Sequence, residues 1–126
     1  MDKLPKNISG AFGELTVARE LMLHDFQIYF PYQGNNEDDD LTVVNNKTGN
    51  VYRIQIKTKQ DKDKWSAVFF KNIKKKTNKN LIYALYELPT GKIFIVSNND
   101  LLDLEANKKG FADKDEKYLN KWDLLK

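Results

Sequence analysis

The sequence contains no cysteine, only one histidine and only three prolines. The lack of cysteine excludes disulfide bonds and thiolate metal sites, and a single histidine cannot build a histidine-rich metal centre. No apolar run reaches the length of about eighteen residues that a transmembrane helix needs. The first residues also lack the apolar stretch of a secretory signal peptide. These absences favour a cytoplasmic protein.

The length and composition predict one globular domain that spans residues 1–126. Apolar residues make up 40% of the chain and charged residues 31%, which is ordinary for a soluble protein. A chain of 126 residues is long enough to bury one core but not two. No internal repeat or interdomain linker divides it.

The net charge of +3 conceals an uneven distribution of basic residues. Residues 47–79 carry eleven basic side chains and two acids, an excess of nine positive charges. This excess favours a polyanionic partner, and nucleic acid is the first candidate. The lysines that we expect along the phosphate backbone are Lys59, Lys62, Lys64, Lys71, Lys74, Lys75, Lys76 and Lys79. The alternative is a solvated lysine-rich surface, since charge describes association rather than fold.

Residues 9–25 have the spacing of an amphipathic helix that begins at Ser9. At about 100° per residue, one face carries the apolar side chains Ala11, Leu15, Val17, Ala18, Leu21 and Met22. Glu14 falls near the middle of that face. A carboxylate there is unfavourable unless another group pairs with it or coordinates it. The alternative is a glutamate that favours the positive end of the helix dipole and reaches solvent.

The central prediction is a β-hairpin formed by residues 40–44 and 53–57, joined by turn-forming residues 45–50. If residues 46–49 form the loop, Asp40 lies opposite Gln55. Lys57 then leaves the sheet on the same face as Gln55. Opposed side chains in an antiparallel pair have Cβ atoms about 5 Å apart, close enough to share one metal ion. A slip of one residue would separate these groups.

Further strands are predicted on both sides of the lysine-rich segment. Residues 27–30 and 65–70 read as short strands, whereas the apolar runs 81–86 and 93–96 are typical of central strands covered on both faces. The aromatic residues of 65–70 are assigned to the core rather than to stacking on bases. Residues 97–100 begin a second helix that ends near Gly110. Three apolar residues should dock the last segment, namely Trp122, Leu124 and Leu125.

The order of these features resembles the PD-(D/E)XK nuclease superfamily. The matching residues are Gly13-Glu14 in the first helix, Asp40 at a strand start and Gln55-Ile56-Lys57 in the next strand. The longer run is similar to small prokaryotic endonucleases that include intron-encoded homing enzymes, and to archaeal Holliday junction resolvases. The resemblance covers about residues 9–60. It implies an α/β fold of the restriction-endonuclease type, in which helices flank a mixed β-sheet.

Two positions depart from the superfamily pattern. A glutamate or aspartate usually stands where this chain has Gln55, and a proline usually precedes the aspartate where this chain has Asp39. Glutamine offers a carbonyl oxygen but no charge, so metal affinity should fall. The intron-encoded branch itself has glutamine at this position.

The resemblance implies a Mg²⁺- or Mn²⁺-dependent endonuclease that hydrolyses phosphodiester bonds of DNA. The catalytic residues would be Glu14, Asp40, Gln55 and Lys57. The metal would be bound by Asp40, the Gln55 side-chain oxygen and the Ile56 carbonyl, with Glu14 acting through water or on a second ion. Lys57 would orient the attacking water and stabilise charge on the phosphate.

Two further expectations concern assembly and activity. Because cutting both strands of a duplex is easiest with two symmetric sites, we expect a homodimer or a larger homo-oligomer. The competing hypothesis is a non-catalytic module that keeps the fold and binds nucleic acid or another partner. In that case Gln55 would mark a decayed site.

Overall fold

The structure is a computed structural model that describes residues 4–30, 40–60, 81–106 and 116–126. A five-stranded sheet forms its centre, with the strands side by side in chain order. The strands are β1 (Phe26–Tyr29), β2 (Leu41–Asn45), β3 (Val51–Lys59), β4 (Leu81–Glu87) and β5 (Lys92–Ser97). Helix α1 (Lys6–Leu23) precedes the sheet and helix α2 (Asn98–Ala106) follows it. Two short 3-10 helices, Glu116–Tyr118 and Trp122–Leu125, complete the described chain.

The sheet is mixed, as predicted. Strands β3 and β4 run parallel, whereas the other three neighbouring pairs run antiparallel. Helix α1 and the last 3-10 helix cover one face of the sheet, and α2 covers the other. Within the described chain, no helix is long and apolar enough to cross a membrane.

The β2–β3 turn explains the hairpin's register. The side-chain oxygen of Asn45 accepts the backbone N–H of Lys47 at 2.8 Å, and the Asn45 carbonyl accepts the N–H of Gly49 at 2.8 Å. Gly49 has a φ of 77°, which glycine adopts without steric strain. The Asn45 N–H then bonds the Asn50 carbonyl at 2.9 Å and closes the loop over residues 46–49.

The pairing beyond the turn agrees with the predicted register. Leu41 lies opposite Ile54 in the last pair of the ladder, as the count back from the loop predicts. Asp40 lies just before β2, and its place opposite Gln55 stays a prediction. Ile54 and Ile56 belong to the core cluster beneath α1. Because side chains alternate along a strand, Gln55 and Lys57 lie on the other face of the sheet.

Helix α1 begins earlier than predicted, at Lys6 rather than at Ser9. Pro5 precedes it, and the Pro5 carbonyl accepts the N–H groups of Ile8 and Ser9 at 3.0 Å each. Proline suits this place because it has no N–H to leave unsatisfied. Ser9 is therefore a buried residue inside the helix, where its hydroxyl donates to the Lys6 carbonyl at 3.1 Å.

The buried face of α1 is also rotated from the predicted one. The residues that it buries are Ser9, Gly13, Val17, Ala18 and Leu21. The prediction was wrong for Ala11, Leu15 and Met22, which are exposed. The apolar pattern covers more than one face of this helix, so the pattern alone could not choose the face that packs on the sheet.

The two apolar strands after the lysine-rich segment differ in position. All seven residues of β4 are buried, and β4 is an inner strand as predicted. Strand β5 is the last in the described sheet rather than a central strand. Its outer edge is covered where Leu119 pairs with Phe94 and where the Asn120 N–H bonds the Ile93 carbonyl at 2.9 Å.

The chain after β5 follows the prediction where it is described. The Ser97 hydroxyl accepts the Asp100 N–H at 3.0 Å and caps α2. Trp122 and Leu125 are buried and Leu124 is half-buried, so the last segment docks on the α1 side of the sheet. Three predictions lie outside the described residues: the strand at 65–70, the helix end near Gly110 and the lysines between 62 and 79.

Candidate active site

Asp40 is held against β3 by two hydrogen bonds that lie on either side of Gln55. The Asp40 N–H donates to the Ile54 carbonyl at 2.9 Å. The Asp40 carboxylate oxygen Oδ2 accepts the Ile56 N–H at 2.7 Å. These two bonds fix the Asp40 carboxylate against the backbone of Ile54 and Ile56.

The backbone of Ile56 presents a further oxygen at the same edge of β3. The N–H and C=O groups of one strand residue point to the same side, because opposed residues exchange both bonds. Since the Ile56 N–H reaches Asp40, the Ile56 carbonyl also faces this edge. The Ile56 side chain is 7% exposed and anchors the strand in the core.

Gln55 and Lys57 flank Ile56 on the opposite face of the sheet. Both side chains are half-buried. Gln55 lies beside Tyr83 of β4, and Lys57 lies beside Leu85. Gln55 and Lys57 therefore leave β3 on the α2 face, whereas the Asp40 carboxylate reaches the Ile56 N–H at the β2 edge of the strand.

Glu14 extends from α1, and its half-buried carboxyl lies beside that of Asp40. Burial raises the pKa of Glu14 above its ordinary value of 4.5, and the charge and hydrogen bond of Asp40 raise it further. Two neighbouring carboxyl groups disfavour double ionisation unless a cation lies between or beside them.

Gly13 allows α1 to approach β3 this closely. A Cβ atom at this position would lie 1.9 Å from Oγ1 of Thr58 and 3.2 Å from its Cβ. Any side chain would push the helix away from the sheet, and Glu14 is the next residue. Sequence analysis did not single out Thr58; the available signal was its place after Ile54 and Ile56 on the same face of β3.

The donor set fits a hard divalent cation. Within the described ranges, no three His, Cys, Asp or Glu side chains gather into a metal-binding group. Among the described residues, Glu14 and Asp40 supply two carboxylates, and Gln55 and Ile56 offer neutral oxygens. Carboxylate and carbonyl oxygens suit Mg²⁺ and Mn²⁺.

Lys59 differs from the exposed lysine that the sequence suggested. Its Nζ lies 3.6 Å from Oε2 of Glu87, and the two side chains are 11% and 0% exposed. Thr90 donates a hydrogen bond of 2.8 Å to the other Glu87 oxygen. The positive charge of Lys59 thus balances a buried carboxylate inside the fold.

Comparison with known proteins gives the family and supports the fold. The model of the PD-(D/E)XK endonuclease family matches residues 5–95, a range that contains Glu14, Asp40, Gln55 and Lys57. No curated protein sequence matches the chain significantly. Among solved structures, the bacterial homing endonuclease I-Ssp6803I is similar, with a TM-score of 0.64 and 12% sequence identity. The alignment covers 98% of this chain and 92% of that one, and so supports the restriction-endonuclease-like α/β fold. The chain therefore belongs to the PD-(D/E)XK endonuclease family.

Proposed function

We propose that this protein is a metal-dependent endonuclease that hydrolyses phosphodiester bonds in DNA. The observation that carries the proposal is the Asp40 carboxylate, which accepts the Ile56 N–H at 2.7 Å and lies beside the carboxyl of Glu14. A structural role alone gives little reason to hold two carboxyl groups together. Membership of a nuclease family supplies the reaction class.

The residues that would hold Mg²⁺ or Mn²⁺ are Asp40, the Gln55 side-chain oxygen and the Ile56 carbonyl. Glu14 would contribute through water or to a second ion. When bound, a divalent cation supplies Lewis acidity and charge neutralisation for phosphodiester hydrolysis. Because the pKa of Glu14 is raised, a proton competes for this site at low pH.

Lys57 has the chemistry to act on the phosphate and on the attacking water. Its ammonium stabilises negative charge that develops on the phosphate oxygens, and it can orient a water molecule by hydrogen bonding. The hydrogen bond from the Ile56 N–H keeps the Asp40 carboxylate in place while substrate binds, so less conformational entropy is lost on reaching the transition state.

We propose DNA as the substrate and the lysines between residues 62 and 79 as its backbone contacts. The excess of nine positive charges over residues 47–79 supports this assignment. Lys59 is left out of the proposed contact surface because it is paired with Glu87. A homodimer or larger assembly would place two such sites on one duplex.

The test is a cleavage assay on duplex, single-stranded and branched DNA with Mg²⁺, Mn²⁺ or a chelator. Asp40→Asn removes the charge but keeps an oxygen for the Ile56 N–H, so the fold should survive. We expect Asp40→Asn and Lys57→Ala to abolish cutting and to leave DNA affinity largely unchanged. Asp123→Ala and Lys121→Ala alter exposed residues of the last segment and serve as matched controls.

Absence of metal-dependent cutting on all three substrates would refute the catalytic proposal. DNA binding without cutting would favour the non-catalytic module instead. Restoration of cutting by Gln55→Glu in an otherwise inert protein would identify a decayed site.

A further inference from the structure

The outward face of α1 carries an apolar stripe. Its members are Ile8 at 49% exposure, Phe12 at 47%, Leu15 at 65%, Met22 at 58% and Leu23 at 65%. At the helical repeat these residues span an arc of roughly 100°, opposite the face that packs on the sheet. Arg19 falls within the same arc, and its guanidinium is held by Glu20 at 3.0 Å. We call these six residues, Ile8, Phe12, Leu15, Arg19, Met22 and Leu23, the α1 stripe.

The α1 stripe is large enough for a specific interface. With residue surfaces of roughly 150–250 Å², its five apolar members expose about 500 Å² together. An isologous pair would cover that area twice, or about 1,000 Å², which is the lower bound for a biological interface. Arg19 and the neighbouring polar residues add to this area.

The spacing of the α1 stripe is nearly symmetric about Leu15. Ile8 and Met22 each stand seven residues from Leu15, whereas Phe12 stands three residues before it and Arg19 four residues after it. Leu23 has no apolar counterpart at the other end. We propose that the α1 stripe binds the α1 stripe of a second copy of this chain, with the helices antiparallel and Leu15 beside the two-fold axis. Ile8 then contacts the partner's Met22, and Phe12 contacts the partner's Arg19.

A second copy of the chain offers contacts to Arg19 as well as to the apolar members of the α1 stripe. The Phe12 ring stacks on buried Tyr86, with 6.1 Å between the centroids and 20° between the ring planes, and this contact restrains the ring before association. An arginine placed over its outer part makes a cation–π contact. Antiparallel α1 helices also place opposite dipole ends together. The proposal does not depend on nuclease activity and identifies a surface for self-association.

The first experiment measures the sedimentation of the full chain over a wide concentration range. We expect a dimer that dissociates on dilution. Leu15→Glu places two carboxylates at the axis and removes two leucine contacts, so the dissociation constant should rise by at least about a hundredfold. Val51→Glu changes an apolar residue of similar exposure on β3 and should leave the constant unchanged.

The second experiment uses the absence of native cysteine. Leu15→Cys brings two thiols together at the axis and should form an intermolecular disulfide under mild oxidation. Thr48→Cys lies in the exposed β2–β3 turn and should not. A parent chain that remains monomeric at all concentrations would overturn the proposal. A dimer that resists Leu15→Glu and is not cross-linked through Leu15→Cys would overturn it as well.

Discussion

Replacing Gly13 by alanine tests whether the close approach of α1 to β3 positions the candidate site. The new methyl group would begin 1.9 Å from the Thr58 hydroxyl oxygen, so that distance must grow by roughly 1.5 Å to reach an ordinary contact. Rotation of Thr58 gives limited relief, because its Cβ would lie 3.2 Å from the methyl and carries two heavy substituents. The helix must therefore move, and Glu14 moves with it.

The expected effect on stability is the difference between two opposing contributions. Overpacking destabilises a protein by about 1–3 kcal/mol. Alanine in place of glycine favours a helix by about 0.5–1 kcal/mol. With a contact this short the first contribution should dominate, and we expect Gly13→Ala to lower the free energy of unfolding by about 1–2 kcal/mol. In a chain of this size, that is a fall in Tm of about 3–5 °C for each kcal/mol.

Gly10→Ala is the matched control. A Cβ atom at Gly10 would meet no atom within 4 Å, so only the helix-propensity gain applies and this variant should be slightly stabilised. Thr58→Ala in the Gly13→Ala background removes the opposing hydroxyl and should restore most of the loss. Urea unfolding of the four proteins, with the metal-dependent cleavage rate measured beside it, gives both readouts. If Gly13→Ala is as stable and as active as Gly10→Ala, the packing argument is wrong.

Three further predictions concern Glu14, Gln55 and Lys59. Because the pKa of Glu14 is raised in the folded protein, the metal-free protein should lose stability as pH rises from 4.5 through the folded pKa. Thermal unfolding at several pH values should show this loss in the parent protein and not in Glu14→Gln. The same pH dependence of Tm in both proteins would contradict the prediction. Gln55→Glu should tighten Mg²⁺ binding at least about tenfold in calorimetry, because a full charge replaces the dipole of the amide. Gln55→Ala should weaken binding, because it removes the oxygen ligand. Equal Mg²⁺ affinities of the three proteins would show that Gln55 is not a ligand. Lys59→Ala should destabilise the fold by about 3–5 kcal/mol in urea, because Glu87 would remain buried without its ion pair. If Lys59→Ala instead leaves stability unchanged and weakens DNA binding, Lys59 contacts DNA.

The hairpin and the order of site residues were readable from the sequence because local rules determine both. The turn formers between β2 and β3 set the loop, and the count back from it along both strands gives the observed pairing of Leu41 with Ile54. The same alternation separates Gln55 and Lys57 from the buried Ile54 and Ile56. These inferences needed no knowledge of distant packing.

Tertiary structure decided the features that depend on contacts between distant segments. The apolar pattern of α1 covers two faces, and only the close fit of Gly13 on Thr58 shows which face meets the sheet. That fit turns Leu15 outward and brings Glu14 to Asp40. Lys59 has the alternating position of an exposed strand lysine, but the parallel pairing of β3 with β4 places it beside buried Glu87. Sequence periodicity describes one element at a time, whereas burial and pKa depend on what packs against that element.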